Sequence, residues 1–294
     1  MRITNKVLTN NFINNLNKNS AQLSKLQNQL ASGKEIEKPS DDPIGVAKIM
    51  NLTRDIDRRE QYNKNMDDAI GWNNMTDTAM ENIGNSLQRL REITVQAANG
   101  TYSDSDKQQM LEEADQLIQQ IAQDGNTMYD GRYIFAGNKI KTPPFELSDS
   151  ELVYKGDEGE MMVEVSPSLN VKINTTGKEF DNGVKLSDTL KSLKEALSNG
   201  DEDELSNEVL GDIDESIEGI LNQRAKVGAR TNRFESIKEK SNAETLNMKE
   251  ILSKTQDIDV AEKMMEFMTM QSIYQATLST GAKVIQPTLL DYIR

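Results

Sequence analysis

Neither cysteine nor histidine occurs in the 294 residues of this chain, and those two absences remove much of enzyme chemistry. Without Cys there is no disulfide, no thiolate nucleophile and no zinc ribbon. Without His there is no Ser-His-Asp triad, no imidazole ligand for a metal and no side chain that titrates near neutrality unperturbed. Catalysis would rest on carboxylates, Lys or Tyr alone. Aromatic residues make up 5% of the chain, with one Trp at Trp72, and apolar residues only 36%, so material for a thick core is scarce. No stretch approaches the ~20 apolar residues of a membrane-spanning helix; the uncharged run 267–282 is interrupted by Gln271, Gln275 and several Ser and Thr. An excess of cations is missing too. The chain carries 34 Lys and Arg against 48 Asp and Glu, net -14, which argues against a nucleic-acid partner, since affinity for phosphate backbones comes from clustered Lys and Arg.

What is present is helical periodicity. Apolar residues at Phe12, Leu16, Leu23, Leu26 and Leu30 follow a 4,3 spacing interrupted only at Asn19, the pattern of a coiled-coil seam. The Asn-rich remainder has low helix propensity, so this helix needs a partner. Gly33 ends it. In PSDDP (39–43), Ser40, Asp41 or Asp42 can cap a new helix with Pro43 in its first turn. That helix runs to about Ala98, with Ile49, Leu52, Ile56, Met66, Ile70, Met80, Ile83, Leu87 and Leu90 on its stripe, and a helix so long points to a coiled coil or bundle. Ser103 with Asp106 reads as a capping box for a third helix that stops near Gly125. From Gly131 the period becomes alternating: RYIFA (132–136), LVY (152–154), MMVEV (161–165) and VKI (171–173) read as short strands, with Gly156–Gly159 as a hairpin turn. Helix returns over 186–197 and over about 203–254, and a last helix starts at Asp259 with Val260, Met264, Phe267, Tyr274, Leu278 and Ile285 as its apolar positions.

The expected fold is therefore mainly α: an elongated antiparallel helical bundle or coiled coil built from the N- and C-terminal segments, with a small β-rich central insertion. Its expected division is an N-terminal inner helix (1–40), an N-terminal helical rod (41–130), an outward β-rich insertion (131–185), a C-terminal rod (186–254) and a C-terminal inner helix (255–294). Charge follows this plan. Residues 1–40 hold six basic and two acidic groups, net +4, whereas residues 149–218 hold six basic and nineteen acidic, net -13.

The terminal stripes have two readings. Phe12–Leu30 can pair with 260–285 inside one molecule, or the same stripes can bind other subunits. Met265, Met268, Met270 and Ile273 lie outside the first stripe, so the last helix is apolar around much of its circumference; Met-rich helices suit successive partners, although Met also fills cores. The carboxylate pairs, Asp41 with Asp42 and the DEDE run at 201–204, are the only candidates for acid–base catalysis. Both sit at helix starts, where capping and the helix dipole explain them, so no catalytic, cofactor or metal residues are expected. The first residues lack the apolar core of a secretory signal, which fits a cytosolic chain or one exported without a cleaved signal.

Five segments carry a family resemblance: MRIT at the start, LQNQLASGKEIEKPSDDP (26–43), DGRYIFAG (130–137), KVGARTNR (226–233) and QATLSTGAKVIQPTLLDYIR (275–294). In this order they resemble the bacterial hook-filament junction proteins of the flagellin superfamily. KPSDDP and LLDYIR stand where flagellins usually carry an NSAKDD-like turn and a leucine-rich end, so a filament subunit is the alternative, along with a coiled-coil protein of another type III secretion system. The resemblance implies a structural, extracellular flagellar component, exported unfolded by the flagellar type III route. It implies a homo-oligomeric ring between the first hook-associated protein, FlgK, and flagellin, with neither nucleic acid nor membrane insertion. It implies inner-core helices at about 5–32 and 259–292, and a cytosolic export chaperone, FlgN, on the C-terminal segment at Met264, Phe267, Tyr274 and Leu278. The expected assembly interface joins these to Phe12, Leu16, Leu23, Leu26, Leu30, Val260 and Ile285.

Overall fold

The computed structural model describes residues 5–99, 102–148, 151–180, 186–199 and 205–284. Its elements are α1 (Asn5–Ser32), α2 (Pro43–Ala97), α3 (Asp104–Gly125), β1 (Met128–Tyr129), β2 (Arg132–Tyr133), β3 (Phe145–Ser148), β4 (Glu151–Tyr154), β5 (Met162–Ser166), β6 (Leu169–Lys172), α4 (Leu186–Asn199), α5 (Leu210–Gln256) and α6 (Val260–Val284). The protein is mainly α, with long N- and C-terminal helices and a small central strand insertion. It divides into two compact units, one of Met1–Arg58 with Glu244–Arg294 and one of Arg59–Ala243.

Local chemistry sets the helix ends. Gly33 takes φ +72°, a left-handed conformation that Gly adopts without steric cost, and its N–H closes α1 on the Gln29 carbonyl at 2.9 Å. Asp42 Oδ1 accepts from the Ile44 N–H at 3.0 Å, which makes it the cap of α2 with Pro43 as first helical residue. Ser103 and Asp106 form the reciprocal capping box of α3. At α6, Asp259 Oδ1 accepts from the N–H groups of Ala261 at 2.9 Å and Glu262 at 3.2 Å. A π-helical turn, Leu205–Val209, precedes α5.

In the unit of Arg59–Ala243, α2 and α5 run antiparallel. Their ion pairs descend along one helix as they ascend along the other: Arg91 with Asp214, Arg224 with Asp77 and Lys238 with Asp67. Met66, Met80, Ile83, Leu87 and Leu90 of α2 are fully buried, as are Ile213 and Phe234 of α5. The intervening heptad positions of α2 include Asn73, Thr76 and Thr94, also fully buried. The two threonines donate back to the carbonyls of Trp72 and Leu90, each at 2.8 Å, so each hydroxyl finds its partner one turn back on its own helix.

The β region differs from expectation in three places, the first being β1 and β3, which lie outside the expected strands. It forms three separate two-stranded antiparallel hairpins, β1-β2, β3-β4 and β5-β6. RYIFA is strand only at Arg132–Tyr133; Ile134, Phe135 and Ala136 turn inward and are fully buried, so their apolar run reflects a buried turn. Gly156–Gly159 is not a hairpin turn, because β4 and β5 belong to different hairpins. This segment instead docks on the turn at Gly137: the Asp157 N–H reaches the Ala136 carbonyl at 3.2 Å. Gly137 has φ +67°, and a Cβ there would fall 2.3 Å from the Asp157 carbonyl oxygen.

Phe135 packs edge-on against Phe180 with ring centroids 4.9 Å apart, and the Tyr154 hydroxyl donates to the Phe135 carbonyl at 2.8 Å. Burial, followed by the charge of Asp157, pushes the Tyr154 phenol up to about 12 from an ordinary 10.0. Because the folded value is raised, the stabilising contribution of the neutral phenol is complete below about pH 10 and is lost as pH climbs through about 12. An ultraviolet pH titration is expected to show a tyrosine step near 12, with unfolding following, and Tyr154→Phe is expected to remove one tyrosine's absorbance change from that step. A step near 12 that is undiminished in Tyr154→Phe contradicts this.

Candidate functional site

The unit of Met1–Arg58 with Glu244–Arg294 is organised around the pairing of α1 with α6. The pair is antiparallel. A Cβ on Gly281 would overlap the Phe12 ring, and Asn19 Nδ2 donates to Thr277 Oγ1 at 3.1 Å. Near the opposite end Lys263 meets Glu35 at 3.4 Å and Glu266 at 3.1 Å. Mainly through its hydrogen bond to Glu266, the Lys263 ammonium titrates above its ordinary value. Beyond the helix ends the backbones join: Lys34 and Asp257 form an isolated antiparallel bridge, Glu35 N–H donates to the Gln256 carbonyl at 2.7 Å and Ile258 N–H to that of Gly33 at 3.1 Å.

The less exposed positions of α1 are Thr9, Phe12, Leu16, Asn19, Leu23, Leu26 and Leu30, together with Gln29. Those of α6 are Lys263, Phe267, Met270, Tyr274, Thr277 and Gly281. Both sets step by threes and fours, the heptad seam of a coiled coil. Asn19 therefore does not interrupt the repeat; it occupies a seam position and meets the one seam threonine on α6.

Among the sequence-expected interface residues, Phe12, Leu16, Leu23, Leu26 and Leu30 lie on the inward face of α1, with Leu26 buried and the others half-buried. Phe267 and Tyr274 lie on the inward seam of α6. Val260, Met264 and Leu278 do not: they are exposed, as are Met265, Met268 and Ile273. Ile285 lies outside the described residues. Between the helices, Leu26, Met265, Met270 and Ile273 line a groove of 440 Å³ together with Gln22 and Thr269.

The carboxylate candidates have structural partners. Asp42 caps α2. Asp41 faces Lys25 at 3.2 Å and accepts from the Lys38 N–H at 3.2 Å, and the Lys25 hydrogen bond, with that of Lys38, holds it below its ordinary range. The 201–204 run lies outside the described residues. A cleft of 990 Å³ opens in the unit of Arg59–Ala243, lined by Asp68, Trp72, Tyr129, Asp130, Arg132 and Glu164 among others; Asp41 and Asp42 belong to the other unit.

Two of the motif segments meet at one clamp that sequence reasoning left without a role. In KVGARTNR, Val227 is buried in the core, and Arg230 reaches from α5 to the segment after β6, donating from Nη1 to the Asn174 carbonyl at 2.8 Å and from Nη2 to Thr175 Oγ1. Gln223 adds a bond to the Glu179 carbonyl at 2.6 Å. The Gly177 N–H closes the link by donating to the carbonyl of Phe135, within DGRYIFAG, at 3.2 Å. Burial depresses the Arg230 pKa, with Glu179 opposing.

Residues 3–140 match the bacterial flagellin N-terminal helical region and residues 210–293 the bacterial flagellin C-terminal helical region. Flagellar hook-associated protein 3 of Escherichia coli K12 is 25% identical over 94% of this chain and 95% of its own length. Flagellin of Bacillus subtilis 168 is 27% identical over 97% of each chain. The crystal structure of Bacillus cereus FlgL superposes with a TM-score of 0.60 at 25% identity, covering 69% of this chain and 99% of that one. With a helix pair made of its two terminal segments and a strand insertion clamped between helices matched at both ends, the chain belongs to the bacterial flagellin family of structural flagellar proteins.

Proposed function

We propose that the chain forms the junction between hook and filament, as an extracellular ring of identical subunits with FlgK on the hook side and flagellin on the other. The observation that carries this reading is the two-sided apolarity of α6. One side is covered by α1, while Val260, Met264, Met265, Met268 and Leu278 stay between 44% and 64% exposed. Exposed apolar side chains clustered at Val260, Met264, Met265 and Met268, with Leu278 about three turns on, suit an interaction surface, and neighbouring subunits would cover it. KPSDDP (38–43) and the LLDYIR end favour the junction over the filament subunit. The chain acts by helix packing, without a catalytic step.

Electron microscopy of a strain lacking the gene tests this. Hooks without filaments, with flagellin shed into the medium, are expected; normal filaments would sink the junction role, and loss of filaments with no shed flagellin would favour the filament subunit. Before export, FlgN engages α6. Phe267 and Tyr274 face α1 in the folded pair, so chaperone and α1 compete for them. Truncation after Asp257 is expected to abolish a FlgN pull-down, and undiminished binding refutes that assignment.

A further inference from the structure

Four of the 14 methionines fall within residues 264–270. Met264, Met265 and Met268 are 46%, 64% and 57% exposed, and Met264 and Met268, four residues apart, share one helix face. The chain has no thiol and no imidazole to react with oxidants first. Its single indole, Trp72, is 4% exposed, and Met66 and Met80 are fully buried. Elsewhere among the described residues the exposed methionines are Met50, Met75 and Met128, which stand singly, and Met162, which has only the half-buried Met161 beside it. The thioethers of α6 are thus the densest accessible two-electron oxidation targets among the described residues.

We propose that Met264, Met265 and Met268 form an oxidant-sensitive modification site that controls whether α6 can be covered by a neighbouring subunit. Hydrogen peroxide transfers one oxygen atom to each sulfur: a sulfur lone pair attacks, the O–O bond breaks, the sulfur is oxidised by two electrons to a sulfoxide, and the peroxide leaves as water. Each event turns an apolar, adaptable side chain into a polar one. The side that would be buried then carries two strong hydrogen-bond acceptors, at Met264 and Met268, and the flank beside α1 a third at Met265. Oxidation acts on the free subunit, and coverage in the assembly protects the same sulfurs. The inference rests on the proposed assembly of α6 with its neighbours.

The test treats the purified full chain with hydrogen peroxide and maps sulfoxides by mass spectrometry. Cleavage after Lys263 and Lys283 isolates the segment with all four clustered methionines. Oxidation of Met264, Met265 and Met268 is expected at least about tenfold faster than of Met66 and Met80; equal rates overturn the site. Treated and untreated chain are then added with flagellin to hooks from a strain lacking the gene, and filaments are counted by electron microscopy. Peroxide is expected to lower the yield at least about fivefold, with recovery by methionine sulfoxide reductase, and in M264L/M265L/M268L, scored against that variant's own untreated yield, the loss is expected to shrink to less than about twofold. The regulatory role fails if treated and untreated chain perform alike, or if the Leu variant loses as much as the native sequence. If untreated chain restores no filaments, the junction reading fails and this inference with it.

Discussion

A strain whose only copy carries Leu278→Asp is expected to lose motility and filament attachment while the purified variant keeps its fold. Leu278 is 44% exposed on α6, so in the free chain an Asp there meets water and changes stability by no more than about 0.5 kcal/mol. Covered by a neighbour, the same carboxylate would be desolvated without a cation opposite. Such burial costs several kcal/mol, and a ring repeats the cost at every subunit. Leu278→Ala, which only shortens the side chain, is expected to weaken assembly far less. Circular dichroism and thermal melting check the fold; swimming assays and microscopy check assembly. Normal filaments in the Asp variant would remove Leu278 from the interface.

Arg230→Ala is expected to be the most damaging single change at the clamp on the strand region. It leaves the Asn174 carbonyl and the Thr175 hydroxyl without the guanidinium, and both residues are fully buried. An abandoned buried polar group costs about 1–3 kcal/mol, partly offset because the desolvated cation is removed as well. A net loss of about 3 kcal/mol corresponds to roughly 6–12 °C in melting temperature for a unit of this size. Arg230→Lys recovers at most about half, since one ammonium does not reproduce a fork aimed at two acceptors. Trp72 is the single Trp and lies in the core of the same unit, so its fluorescence reports the transition. An unchanged melting temperature for Arg230→Ala would show that the clamp carries no stability.

The helical skeleton was legible because its punctuation is local: Gly33, Asp42 with Pro43, Ser103 with Asp106, and Asp259 each act through backbone groups one turn away. The strands were harder to read. In FELS (145–148) Phe145 is buried while Glu146 and Leu147 are exposed, so the alternation that announces a half-buried strand is missing. RYIFA failed in the opposite sense, its apolar run serving a buried turn. For α6, apolarity on all sides hides the phase: of the sequence stripe Val260, Met264, Phe267, Tyr274 and Leu278, only Phe267 and Tyr274 lie on the inward seam. The inward seam is marked by Lys263, Thr277 and Gly281 as much as by Phe267 and Tyr274, and hydrophobicity alone does not find such positions. Asn73, Thr76 and Thr94 are hidden in α2 for the same reason. Arg230 was visible only as a letter in a motif, because its partners lie more than fifty residues away.

The hydrogen bond between Asn19 and Thr277 has a metrical consequence. A heptad seam held mostly by apolar residues tolerates slippage by one repeat, about 10 Å along the axis. Such a slip would move Asn19 toward Met270 and set Thr277 against Phe12. The Asn19–Thr277 rung thus works as a vernier mark. It fixes how far the C-terminal helix protrudes beside the N-terminal one, so that every copy offers Met264, Met268 and Leu278 at the same height.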